Sequence, residues 1–136
     1  MNPENFSHRH IGPSESQIKE INNINDDDFI LDIGPKTLKK IRSIIENSET
    51  VLWNGPAGYF ENPNFANGSY DIAKAITKKN KNKSIYSVVG GGDTIALINK
   101  IKLIENFNFV STAGGAFLEY LEGKELPGIK ALNQNV

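Results

Sequence analysis

The sequence predicts an α/β fold: a parallel sheet with flanking helices, preceded by a short helical or disordered front segment. Two observations carry this. A β-prone run, a glycine-bearing loop and a stretch of helical periodicity recur three times in the same order, the pattern of a parallel sheet covered by helices. The 136 residues also hold one modest domain, burying roughly 60 to 70% of the surface the unfolded chain exposes, and leave no room for a second full one.

The elements follow in order. Residues 1–27 form a polar segment that carries both histidines and runs into Asp26, Asp27 and Asp28. Pro13 and Ser14, with Gln17 three positions after the serine, resemble a capping box for a short helix through Ile18 and Ile21. Residues 28–136 form the α/β part. Pro35 is placed for the first turn of a helix with Leu38, Ile41 and Ile45 on one face, ending near Asn47. Thr50 to Trp53 is a strand that breaks into Asn54, Gly55, Pro56, Ala57, Gly58, and a helix through Ile72, Ala73 and Ile76 follows. Lys78 to Lys83 reads as its solvated end, where lysine favours the helix dipole. Ser84 to Val89 is the second strand, cut off by Gly90, Gly91, Gly92 and Asp93, with a helix from Thr94. Phe109 to Ser111 is the third, turning at Ala113, Gly114, Gly115 into a helix over Ala116 to Leu121. Trp53 is assigned to the core.

Composition excludes several functions. Lysine and arginine total 15 against 16 acidic residues, so no bulk positive field draws in nucleic acid or anionic lipid, and phosphate recognition has to be local. With no cysteine there is no disulfide framework, thiolate metal site or cysteine nucleophile. No apolar run approaches the ~20 residues of a membrane span, and the start lacks a secretion signal, so the expectation is a soluble cytoplasmic protein. His8, Arg9, His10 has no further ligands to complete a metal site.

Open parallel sheets bind ligands beyond the carboxyl ends of their strands, which directs attention to the three loops. In Gly90 to Thr94 the glycines bare the backbone amides and permit the positive φ angles that gather N–H groups into one concavity, and the helix that follows adds its positive dipole end. This is the outline of a phosphate cradle. Asp93 repels an anion directly, so it either holds a magnesium ion between phosphate oxygens or caps the helix. The run matches neither the P-loop nor the dinucleotide glycine pattern. Ser111 to Gly115 repeats the device, although Gly-Gly ahead of a helix also serves close packing. In Trp53 to Glu61, the carboxylate of Glu61 beyond Tyr59 and Phe60 suits paired ribose hydroxyls, and a solvated surface glutamate is the alternative.

Four blocks, DIGPKT (Asp32 to Thr37), VLWNGPAGYFE (Val51 to Glu61), VVGGGDT (Val88 to Thr94) and STAGGAFLEYLEGKELPGIKAL (Ser111 to Leu132), resemble phosphoglycerate kinases in order and spacing. The likeness covers the last part of that family's C-terminal, nucleotide-binding domain. It implies part of a Rossmann-like domain from a two-domain enzyme that closes over a hinge. The glycolytic reaction implied is reversible phosphoryl transfer between 1,3-bisphosphoglycerate and MgADP, giving 3-phosphoglycerate and MgATP.

Carried over by position, the resemblance implies that Glu61 binds ribose while Asn54 and Pro56 line the nucleotide cleft. Gly90, Gly91 and Gly92 would cradle phosphate, Asp93 would hold magnesium, and Thr94 would lie beside the phosphates. The amides of Gly91 and Gly114 would stabilise the transferring group, and Ser111 and Thr112 would fall in the hinge region. Ala113 replaces the family's usual glycine, and Tyr59 a common valine. The family's phosphoglycerate-binding domain, with its arginine and histidine cluster, has no counterpart, and Arg9 and Arg42 are the only arginines. The lysine that contacts the phosphates and the strands completing the adenine pocket are also missing.

The expectation is therefore a chain holding part of the MgATP/MgADP site and inactive alone, with 3-phosphoglycerate a partner only if the missing domain is supplied. A non-catalytic segment that binds no nucleotide is the alternative. Separately, Phe6 to Ser16 (FSHRHIGPSES) is similar to the start of glycine cleavage P-proteins, whose cofactor regions are absent. That likeness implies a join between unrelated segments near Asn22 to Asp28.

Overall fold

Each β-branched run ahead of a glycine-bearing loop forms a strand in the computed structural model, which describes residues 16–82 and 84–133. The strands are β1 (Thr50–Asn54), β2 (Tyr86–Gly90) and β3 (Phe109–Ser111). Between and around them lie α1 (Pro35–Glu46), α2 (Asn67–Lys81), α3 (Gly92–Lys100), α4 (Gly115–Leu121) and α5 (Pro127–Asn133). The chain divides into two compact units, Met1–Ile30 and Leu31–Val136.

Most elements lie where the sequence puts them, and the differences have local causes. Pro35 is the first residue of α1 and Asn47 its C-cap. β2 begins at Tyr86 rather than Ser84, because its partner strand starts at Thr50 and the two residues are paired in register. α3 begins at Gly92 rather than Thr94, since Gly91 takes the N-cap position and turns the chain there. α5 was not anticipated, although Pro127 opens it as proline opens many helices. Among the described residues of the front segment, Ser16 to Glu20 are not helical and a 3₁₀ turn forms at Ile21–Asn23. Ile18 and Ile21 are 79% and 83% exposed, so nothing is buried to hold a longer helix. A Lys19–Asp28 ion pair at 2.6 Å and the Asn25 amide on the same carboxylate order that segment instead. Pro13, Ser14, the His8–Arg9–His10 trio and Lys83 lie outside the described residues, as does the P-protein-like stretch up to residue 15.

The three strands pair in parallel, in the order β1-β2-β3. Sequential strand order with right-handed crossovers places both connecting helices on one face of the sheet. The core lies there: Trp53 and Val89 from the sheet, Leu38 and Ile45 from α1, Ile72, Ala73 and Ile76 from α2, Leu97 and Ile98 from α3, and Phe107. The Trp53 and Phe107 rings stack with centroids 6.4 Å apart. The opposite face presents Leu52, Tyr86 and Phe109, each about half exposed. β3 has only three residues, and its register is pinned by Asn108, whose side-chain oxygen accepts from both the amide and the hydroxyl of Ser87 at 2.8 and 3.0 Å.

Lys79 corrects part of the solvated-lysine expectation. It is half-buried, and its ammonium donates to the carbonyls of Ile45 (3.1 Å), Glu46 (2.7 Å) and Ser48. Asn47 and Ser48 already bond the last-turn carbonyls of Ser43, Ile44 and Ile45, so Lys79 adds a cationic partner from α2 to an end of α1 that is capped locally. Arg42 of α1 and Asp71 of α2 form a second, exposed link between the helices.

Ile76→Ala is expected to lower unfolding stability by about 2 to 5 kcal/mol in urea titration, because Ile76 is 1% exposed at the centre of the core. Lys79→Met, which keeps the stem and removes the ammonium, is expected to cost about 1 to 2 kcal/mol in the same assay. A neutral Lys79→Met would show that the interhelical cap contributes nothing.

Candidate functional site

All three strands stop in one row. Asn54 pairs with Gly90, and Gly90 with Ser111, so the connections leave the sheet from a common edge. Each then turns on a glycine at positive φ: Gly55 at 101°, Gly91 at 88° and Gly114 at 54°. Within the Gly90–Gly92 run only Gly91 uses that freedom. Each loop therefore turns on one left-handed residue rather than on a run of them.

The first two loops are joined directly. The Gly55 amide donates to the Thr94 hydroxyl oxygen at 2.8 Å, and Thr94 is fully buried. Asn54 reaches over the second loop: a Cβ on Gly91 would lie 2.3 Å from Asn54 Oδ1 and 3.4 Å from Thr94 Oγ1. Gly91 is thus required twice, by its φ and by the side chain above it. A Cβ on Gly90 would meet the Phe117 ring at 3.4 Å, while one on Gly92 or Gly114 would meet nothing within 4 Å. Asn54, Gly55, Gly90, Gly91 and Thr94 therefore form one contiguous cluster.

The remaining expected residues sit around it. Asp93 is exposed in the first turn of α3, which has Gly91 as its N-cap, so Asp93 is one residue inside the helix and does not cap it. Gly114 is the N-cap of α4, at the end of β3. Pro56 is half-buried and Glu61 exposed, both on the long loop between β1 and α2. Ser111 is buried, and its hydroxyl accepts from the Ala113 amide at 3.4 Å. Among the described residues no group of three or more histidine or acidic side chains could form a metal cage. A lone carboxylate fits magnesium all the same, since that ion keeps waters and binds through one or two carboxylates plus phosphate oxygens.

Sequence reasoning missed what holds the edge together. The Thr94 hydroxyl faces inward to Gly55 rather than outward. Ser69 is fully buried and accepts from the Ala57 amide at 2.9 Å. Asp32 accepts from the amides of Ile33 and Gly68 at 2.8 and 2.9 Å. For Asp32 the available signal was an aspartate just ahead of the Gly34–Pro35 helix start; for Ser69 and Thr94 there was none beyond polar residues at apolar periodicity.

Three comparisons bear on this edge. The family model for phosphoglycerate kinase matches residues 3–124, a range that includes most of the front segment. A phosphoglycerate kinase of Buchnera aphidicola subsp. Schizaphis graminum is 46% identical over 132 residues, 97% of this chain and 32% of that protein. One from Orientia tsutsugamushi is 52% identical over 107 residues, 79% of this chain and 26% of the relative. The solved phosphoglycerate kinase of Coxiella burnetii superposes with a TM-score of 0.79 at 43% identity, over 88% of this chain and 30% of that one. This chain thus spans about a third or less of the relatives it matches.

Gly91→Ala is expected to destabilise the fold by about 2 to 4 kcal/mol and to displace the Asn54 side-chain amide resonance in NMR spectra, since the new methyl meets both a forbidden φ and Asn54. Gly92→Ala, one residue further on and with open space around it, is expected to change stability by less than about 1 kcal/mol. Equal losses would mean that the run needs glycine for some reason other than Asn54 and the left-handed turn.

Proposed function

Because this chain belongs to the phosphoglycerate kinase family, we propose that its three-loop edge is part of a nucleotide site. Its reaction would be phosphoryl transfer between 1,3-bisphosphoglycerate and MgADP. The observation that carries this reading is the joined cluster of Asn54, Gly55, Gly91 and Thr94 at the carboxyl edge of a parallel sheet, where such folds bind ligands.

Each residue then has work suited to its chemistry. The amides around Gly90, Gly91 and Gly92 bind phosphate oxygens, helped by the positive end of α3, which carries no side-chain cap of its own. Gly91 and Gly114 direct their amides at the transferring phosphoryl group, where fixed donors stabilise developing charge at no reorganisation cost. Asn54 and Pro56 wall the cleft, and Glu61 accepts two hydrogen bonds from the ribose hydroxyls. Thr94 fixes the relation between the ribose and phosphate loops through Gly55. Asp93, exposed in the first turn of α3, would hold magnesium, which would supply charge neutralisation to the phosphates.

Binding and turnover separate in this proposal. The family's acidic substrate needs cationic partners. Of the two arginines in the chain, Arg42 is committed to Asp71. The 136-residue chain alone is therefore expected to give no phosphoryl transfer from MgATP to 3-phosphoglycerate in a coupled assay. Turnover that survives repurification would overturn that.

Isothermal titration with MgADP tests the site. Glu61→Ala is expected to weaken binding by about 1.5 to 3 kcal/mol, roughly tenfold to a hundredfold, with or without magnesium. Asp93→Ala is expected to weaken it only when magnesium is present, because the carboxylate acts through the metal. The same loss from Asp93→Ala in chelator would remove its metal role. A wild-type chain that binds no MgADP would favour the reading in which this is a non-catalytic segment.

A further inference from the structure

The long loop between β1 and α2 carries Glu61, and an aspartate from a different part of the chain holds that loop in place. α2 has no side-chain cap of its own; its N-cap residue is Ala66. Asp32, 36 positions before Gly68, fills the gap: Oδ2 accepts from the amide of Gly68, the second residue of α2, at 2.9 Å, and Oδ1 accepts from Ile33 at 2.8 Å. Two glycines make room for that carboxylate. A Cβ on Gly68 would lie 2.2 Å from Asp32 Oδ1, and one on Gly58 would lie 2.6 Å from the same oxygen and 2.7 Å from the carbonyls of Leu31 and Phe65. The next residue is tied as well, since the Tyr59 amide donates to the Leu31 carbonyl at 2.8 Å.

We propose that Asp32 is a positioning residue for the nucleotide loop: by capping α2 from outside and lying against Gly58, it sets where Glu61 stands. The loop is fixed at its base by the Gly55–Thr94 hydrogen bond and at its far end by Asp32, and Glu61 lies between the Gly58 and Gly68 contacts. The capping also divides the helix N-termini at this edge by charge. A carboxylate neutralises the positive end of α2, which leaves an anionic ligand the end of α3. Asp32 touches no ligand in this scheme and acts only through the loop. The functional half of the inference rests on the reading of Glu61 as the ribose ligand.

Hydrogen exchange and binding, measured on Asp32→Asn and Asp32→Ala, test the two halves separately. Asp32→Asn keeps one acceptor and most of the shape, so it guards against simple failure to fold. In the ligand-free protein the amides of Tyr59 and Gly68 are expected to exchange about tenfold or more faster in Asp32→Ala, less so in Asp32→Asn, with Ile95 of α3 unchanged. Unchanged exchange at Tyr59 and Gly68, or equal acceleration at Ile95, would overturn the positioning role.

Asp32→Ala is further expected to weaken MgADP about fivefold to thirtyfold, to leave magnesium pyrophosphate within about twofold, and to add nothing in a Glu61→Ala background. Equal losses for MgADP and pyrophosphate, or additive losses with Glu61→Ala, would overturn the link to Glu61. Glu61→Ala binding MgADP like the wild type would overturn the ribose reading alone, and the exchange result would still decide whether Asp32 holds the loop.

Discussion

Because β1, β2 and β3 run parallel and finish together at Asn54, Gly90 and Ser111, every connection has to leave the sheet at one edge and turn within a residue or two. That geometry explains why each loop spends a glycine at positive φ, and why the side chain of Asn54 and the hydroxyl of Thr94 can bridge neighbouring loops. Thr94 shows the dependence most directly. It lies fully buried in the first turn of α3, yet its acceptor serves an amide 39 residues earlier, so the two loops stay joined only while the register holds. A one-residue slip would send every strand side chain to the opposite face and separate Asn54 from Gly91.

The same sequential strand order gives the sheet one covered and one open face. Leu38, Ile45, Ile72, Ile76, Leu97 and Ile98 all converge on Trp53 and Val89, while Leu52, Tyr86 and Phe109 on the other face remain about half exposed. Parallel sheets ordinarily have both faces covered. Stability therefore rests on a single apolar layer, and the hydrogen bonds that lock short elements carry more weight than they would in a thicker domain. Asn108 does this for the three-residue β3 through Ser87, and both groups are satisfied by each other.

Two helix ends receive charged partners from elsewhere in the fold. Lys79 of α2 closes the carbonyl end of α1, and Asp32 closes the amide end of α2. In each case the charge is the one the helix dipole favours. The arrangement links α1, α2 and the loop between β1 and α2, and leaves α3, with Gly91 at its start, without any side-chain cap hydrogen bond at its amide end. An amide end without a carboxylate suits the proposed phosphate site, and an end already holding one does not.

The sequence alone determined the local features. The strand, loop, helix recurrence specified a parallel sheet, proline at position 35 specified the start of α1, and the glycine loops specified where the three strands end. These are short-range consequences of backbone sterics and periodicity, so they are legible residue by residue. α5 and the early start of α3 escaped because helix ends depend on which residue takes the cap. The helix expected through Ile18 and Ile21 is not present at Ser16 to Glu20, where both isoleucines are exposed, a matter of burial rather than capping signal. What only the tertiary structure decided is which residues hold the site together: Thr94 turned inward to Gly55, Asn54 laid over Gly91, Lys79 drawn to the end of α1, and Asp32 carried across 36 positions to Gly68. Each is a polar group whose partner is distant in the chain, and no local pattern encodes a partner that only folding brings within 3 Å.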